Sequence, residues 1–260
     1  MSFIRVTRAW LAGLVASAGL SAAAAPPVPI RVCLPDIDAP PYIHHDANRP
    51  GIFNRLLADA GREAGLQVTL LRLPSARCRQ ALARGEADAM PLPAIPTYLE
   101  TMDFPIGPHG QLDSAARLGR IQFLLLRRRG EAADWDGQHL IPAGIVVGVR
   151  RGVTTLTEKL QGLGVAFDDK ASANEQLLAK LLAKRIDMAA MSREEYLALA
   201  AGQPAIEALP LPLISTDLYL AVSRQLPEPT RERIAGWREQ LSRLRDQPAY
   251  RPDDLRARAP

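Results

Sequence analysis

After residue 25 the chain has no apolar run approaching the ~20 residues that a hydrocarbon core demands, so no transmembrane helix is expected in it. Histidine is scarce, four residues in all, and the four do not form a metal-ligand pattern, so no metal site is expected. His44 and His45 fall in a polar loop and read as exposed. A phosphate loop and a nucleophile elbow are missing as well, no tract is of low complexity, and no cofactor is implied. Charge of one sign is also lacking. With Arg5 and Arg8 set aside, 30 basic groups face 28 acidic ones. An excess that small gives no reason to expect a nucleic-acid partner.

The first 25 residues follow another grammar. Arg5 and Arg8 give a positive start without acids, and residues 9–20 form an apolar stretch broken only by small residues such as Gly13, Ser17 and Gly19. Ala23, Ala24 and Ala25 then offer an A-x-A cleavage site ahead of Pro26. This is the pattern of a secretory signal peptide, too short in its apolar part to be an anchor. Cleavage would leave residues 26–260 in the periplasm, and no cysteine follows the apolar stretch to carry lipid. That length suits one large domain or two small lobes.

Two cysteines remain. Cys33 falls in the strand-like run 30–34, and Cys78 falls in the first turn of a helix predicted over 75–84, on one face with Ala81 and Leu82. In an oxidising compartment such a pair is expected to bridge. Closing the intervening loop would stabilise the fold by ~4 kcal/mol. Two buried free thiols are the alternative.

Strand-like and helix-like segments alternate along the chain. Residues 30–34, 67–71 and 87–90 read as strands, separated by helices over 51–64 and 75–84. A second unit follows, with strands at 145–149, 165–167 and 186–191 and helices at 154–161, 174–184 and 193–200. Alternation of this kind predicts an α/β fold with parallel sheets. The apolar runs 121–126 and 217–222 lie on either side of the second unit, and the last helix, near 230–244, would return to the first. The expected architecture is therefore two Rossmann-like lobes joined by two hinge strands, with residues 26–123 and 219–260 in one lobe and 124–218 inserted as the other. Two such connections permit hinge closure.

Several short markers keep a common order. Asp36 precedes Pro40-Pro41-Tyr42 after the first strand, Gly85-Glu86-Ala87-Asp88-Ala89 precedes the third, and Asp103-Phe104-Pro105, Trp135-Asp136-Gly137 and the segment 148–155 follow. In this the chain resembles the family 3 extracellular solute-binding proteins, from about residue 30 to about residue 250. The resemblance implies a type II periplasmic binding fold, a small-molecule ligand, and delivery to an ABC permease. A sensor that docks on a membrane receptor, or a dehydratase-type enzyme using Asp36 or Glu194 as an acid, are the alternatives on the same fold. A monomer is expected.

In open α/β sheets the ligand crevice lies beyond the carboxyl ends of the strands. That rule selects Asp36, Asp38 and Tyr42, then Ser75 and Arg77, then residues 92–97 in the first lobe. In the second it selects Arg150, Thr154, Thr155 and Ser192. Tyr42 offers an aromatic wall and a hydroxyl, or else packs on its own turn prolines. Asp36 and Asp38 would meet a cationic or hydroxylated ligand, or else bond local N–H groups. Arg77 sits where a cation opposes the helix dipole, which points to an anion or to plain solvent. Thr154 and Thr155 open a helix whose N–H groups suit an anion, although a simple cap accounts for them equally. The Arg127-Arg128-Arg129 run reads as a solvated hinge surface. Amino-acid-binding relatives carry an arginine after the third strand and an acid near Ser192. Residues 94–102 contain no arginine, and Glu194 is off the expected spacing. A standard α-amino acid is therefore not the expected ligand; a small polar or acidic solute is, gripped by Arg77 and the 152–155 turn when the lobes close.

Overall fold

A computed structural model describes residues 26–44, 46–200 and 202–251. The signal-peptide expectation for residues 1–25, and the exposure expected of His45, lie outside the described residues.

The first lobe opens with β1 (Val28–Pro35), α1 (Ile52–Glu63), β2 (Leu66–Leu73), α2 (Ser75–Ala83) and β3 (Ala89–Pro93). The apolar stripe of α1 explains its docking: Ile52, Phe53, Leu56, Leu57 and Ala60 recur at helical spacing and are all buried. Gly65 takes a positive φ of 70° beyond that helix, a conformation glycine adopts without a Cβ clash. Next come α3 (Pro96–Leu99), β4 (Met102–Asp103) and β5 (Arg117–Arg128). The second lobe holds β6 (Asp134–Trp135), β7 (Leu140–Ile141), β8 (Val147–Arg150), α4 (Thr154–Gly162), β9 (Phe167–Ala171), α5 (Asn174–Leu182), β10 (Met188–Ser192) and α6 (Arg193–Leu199). Finally β11 (Ile206–Ser223) runs back and α7 (Glu228–Arg245) packs on α1 in the first lobe, with the Trp237 indole donating to the Leu57 carbonyl at 3.3 Å.

One curled sheet runs β2-β1-β3-β11-β5-β10-β8-β9, and β4 pairs with β11 off that path. β1 is parallel to β2 and β3, and β8 is parallel to β10 and β9. Between these two parallel units lie β5 and β11, antiparallel to each other and to their outer neighbours. Their register runs from Tyr219↔Arg117 in the first lobe to Ile206↔Arg128 in the second. The fold is thus α/β, two doubly covered lobes joined by two strands. Both joining strands extend well past the apolar runs that reveal them in sequence. Arginines and prolines occupy the extra length, where half-buried strand needs no continuous apolar pattern.

Each lobe buries a cluster on either face of its sheet. In the first, α1 and α7 cover one face, and the other holds Cys33, Cys78, Leu82, Met90 and Tyr219. Cys33 and Cys78 are bonded, both fully buried, with Cα atoms 5.5 Å apart. Among the described residues no helix is long and apolar enough to cross a membrane.

Candidate functional site

A cleft of about 180 Å³ lies between the lobes. The segment after β1 enters it with alternating side chains. Pro35, Ile37 and Ala39 line the cleft, while Asp36 and Asp38 point to solvent. The lining alternates through this bend, with Ile37 inward and both aspartates exposed. Asp36 and Asp38, expected from sequence to meet the ligand, lie outside this lining. Tyr42 is nearly buried, lines the cleft, and stacks on Phe53 with ring centroids 5.0 Å apart.

The helix α2 divides its expected residues in the same way. Cys78 is fixed inward by its bond to Cys33, and each residue turns about 100° around the axis. Ser75 and Arg79, four apart, share the cleft side. Arg77 falls on the other side of the buried stripe and is exposed. It is Arg79, not Arg77, that reaches across: its Nη1 donates to the Gly152 carbonyl at 3.4 Å, and its guanidinium lies 5.5 Å from the Tyr98 ring centroid. A second contact joins the lobes where the Thr97 hydroxyl donates to Glu158 Oε1 at 2.5 Å.

In the second lobe, Arg150, Val153 and Thr155 line the cleft and Thr154 does not. Val153 is the N-cap of α4, with no side-chain cap, so Thr154 caps nothing; its carbonyl accepts from the Thr157 hydroxyl at 3.0 Å. Ser192, Glu194 and Glu195 complete this wall. Ser192 and Glu195 form a capping box: the Ser192 hydroxyl accepts from the Glu195 N–H at 3.2 Å, and Glu195 Oε2 accepts from the Ser192 N–H at 2.9 Å. The other Glu195 oxygen lies 3.7 Å from Arg150 Nη2, with these side chains 12% and 15% exposed. Arg150 Nε is buried with no hydrogen-bond partner among the described residues.

Of the residues expected from sequence, Tyr42, Ser75, Arg150, Thr155 and Ser192 share the cleft; Asp36, Asp38, Arg77 and Thr154 are not in its lining. Of residues 92–97, Leu92 and Pro93 line the cleft; Arg79, Tyr98, Glu195, Phe53 and Phe123 were not among the expected residues. The four-residue step from Ser75 would have found Arg79, and the S-x-x-E pattern at Ser192 would have found Glu195. Among the described residues no three His, Cys, Asp or Glu side chains gather as metal ligands would.

No family model matches the sequence, and no curated protein matches it either. Solved structures do match in fold. A histidine kinase sensor domain with similarity to periplasmic binding proteins superposes with a TM-score of 0.67 at 18% identity, over 90% of this chain and 96% of that one. The substrate binding protein of an amino acid ABC transporter gives 0.64 at 12%, over 88% and 98%. An ancestral amino acid-binding protein, AncCDT-1, a precursor of cyclohexadienyl dehydratase, gives 0.64 at 17%, over 88% and 94%. The chain has the type II periplasmic binding protein fold.

Proposed function

We propose that this chain is a periplasmic solute-binding protein. It captures a small polar or acidic solute by closing its lobes, acts as a monomer, and hands the solute to an ABC permease. Residues 26–123 and 219–260 form one lobe in this reading, and 124–218 the other. The observation that carries it is the pair of contacts across the cleft, Arg79 to Gly152 and Thr97 to Glu158, which need the two lobes together. Tyr42, Ser75, Arg150, Thr155 and Ser192 contribute to the ligand surface, with Arg79 in the place first given to Arg77. Binding is favoured over catalysis because Glu195 is already engaged by Ser192 and Arg150, and Asp36 is exposed outside the cleft lining. The likeness to a kinase sensor domain supports a second reading, in which the closed form docks on a membrane receptor.

The test is a thermal-shift screen of metabolites against protein stripped of carried-over ligand, followed by small-angle scattering on each hit. A true ligand at a hundred times its dissociation constant adds about 2.7 kcal/mol of stability and compacts the particle. Hits that leave the scattering curve unchanged refute capture by closure. Transport into vesicles bearing the permease separates the importer reading from the receptor reading.

A further inference from the structure

Apolar side chains dominate the cleft: Ile37, Tyr42, Phe53, Leu92, Tyr98 and Phe123 line it. A polyhydroxylated solute set against such walls would leave many of its polar groups without partners. The charges in the cleft are unequally engaged. Glu195 answers Arg150 and the Ser192 N–H, and Glu194 also has a partner. Among the described residues Arg79 has a single hydrogen bond, a long one to the neutral Gly152 carbonyl. Arg150 keeps a buried Nε–H with no acceptor. Among the described residues Glu194 Oε2 is likewise buried without a hydrogen bond, yet open positive charge faces the cleft from both lobes, on Arg79 and Arg150.

We infer, resting on the solute-binding reading above, that the ligand class is an organic monocarboxylate with an apolar, ring-sized body and no ammonium group. Its carboxylate meets Arg79 from the first lobe and Arg150 from the second, and its body lies against the aromatic walls. The Tyr98 ring beneath Arg79 holds the planar guanidinium in one orientation, which suits a two-point carboxylate contact. Residues 94–102 lack arginine, but this segment supplies Tyr98, and α2 supplies the cation that rests on it.

The experiment is calorimetric titration of the processed chain, unfolded and refolded to strip carried-over ligand, with hydrocinnamate, L-phenylalanine, phenethylamine and L-glutamate. Hydrocinnamate and L-phenylalanine differ only by the α-ammonium group. Hydrocinnamate is expected to bind at least about tenfold more tightly than L-phenylalanine, and phenethylamine not at all. Arg79→Gln should weaken hydrocinnamate by about tenfold or more, the scale of a lost hydrogen bond between charged groups. Exposed Arg77→Gln should change nothing. L-phenylalanine or L-glutamate binding as tightly as hydrocinnamate would overturn the ligand class while leaving solute capture intact, and so would a wild type that ignores hydrocinnamate. Unchanged hydrocinnamate affinity in a folded Arg79→Gln protein would overturn the anchor. Only a metabolite screen with no lobe-closing hit of any class counts against solute capture itself.

Discussion

Reducing the Cys33–Cys78 bond should cost the protein a large part of its stability and part of its ligand affinity. The bond closes a loop of 45 residues. In the chain-entropy treatment, releasing a loop of that length returns about 4 kcal/mol of entropy to the unfolded chain at room temperature. The native state offers little to offset this, because both sulfurs are fully buried in the cluster of Leu82, Met90, Leu92 and Tyr219. With a urea dependence near 2.5 kcal/mol/M for a chain of this size, the unfolding midpoint should fall by roughly 1.5 M. The assay is urea unfolding of oxidised protein, of protein held reduced, and of the Cys33→Ala/Cys78→Ala double variant. The second readout is calorimetry with the best ligand. Cys78 anchors the helix that presents Ser75 and Arg79 to the cleft, so reduced protein should bind more weakly while still folded. A midpoint shift below about 0.4 M, worth about 1 kcal/mol, would refute the loop argument. Unchanged affinity in folded reduced protein would refute the anchoring argument.

Gly51→Ala should destabilise by about 2–3 kcal/mol, the scale of a forced backbone shift. A Cβ there would lie 2.3 Å from the Tyr42 carbonyl oxygen and 2.8 Å from the His44 nitrogen; an unchanged melting curve would show that the turn yields freely. The Lys180 ammonium and the Lys170 N–H hold the Asp168 carboxyl below the usual carboxylate range. A depressed carboxyl adds stability above its unfolded value of about 4 and loses it as pH falls through the lower folded value. Lys180→Met should therefore flatten the acid side of the stability profile, and parallel wild-type and variant profiles below about pH 4 would refute this. Thr97→Ala removes the hydroxyl that meets Glu158 across the cleft, so unliganded protein should scatter as a more open particle. An unchanged radius of gyration would mean that this contact does not hold the lobes.

The architecture was readable because each βαβ stretch carries its own local signals. Helical stripes such as the one from Ile52 to Ala60, and stops such as Gly65, need no knowledge of the rest of the chain. The joining strands were only half visible. β11 passes through Pro210 and Pro212, and its register with β5 shifts between Ala208 and Ile214; the two prolines argue against a strand in its first half although Leu209, Leu211 and Leu213 alternate. In the site, crevice position was legible and side-chain direction was not. The rule that ligands sit beyond strand ends found the right loops. Choosing among neighbours required the period of two after β1, which separates Ile37 from Asp36 and Asp38. On α2 it required the period of 3.6, which separates Arg79 from Arg77. Phe53 and Phe123 belong to an early helix and to a joining strand. Only the folded arrangement brings them to one cavity, and no spacing in the chain announces it.

The same geometry bears on how occupancy would favour closure. A ligand shifts an equilibrium between open and closed lobes only by binding one form better than the other. In this structure the Arg79 fork meets a neutral carbonyl of the opposite lobe, close in sequence to Arg150. A carboxylate set between the two arginines replaces that neutral contact with charge-assisted bonds, which are roughly twice as strong. With the lobes apart, the same carboxylate reaches one arginine at a time. The differential is then one set of charged hydrogen bonds, about 1.5–3 kcal/mol, or roughly a ten- to hundredfold shift toward the closed form. An importer or receptor that docks only on closed lobes would read a shift of that size as the difference between an empty and a loaded protein. Removing Arg79 should therefore blunt the ligand-induced change in scattering even at saturating ligand, an outcome that a purely structural role for this arginine would not produce.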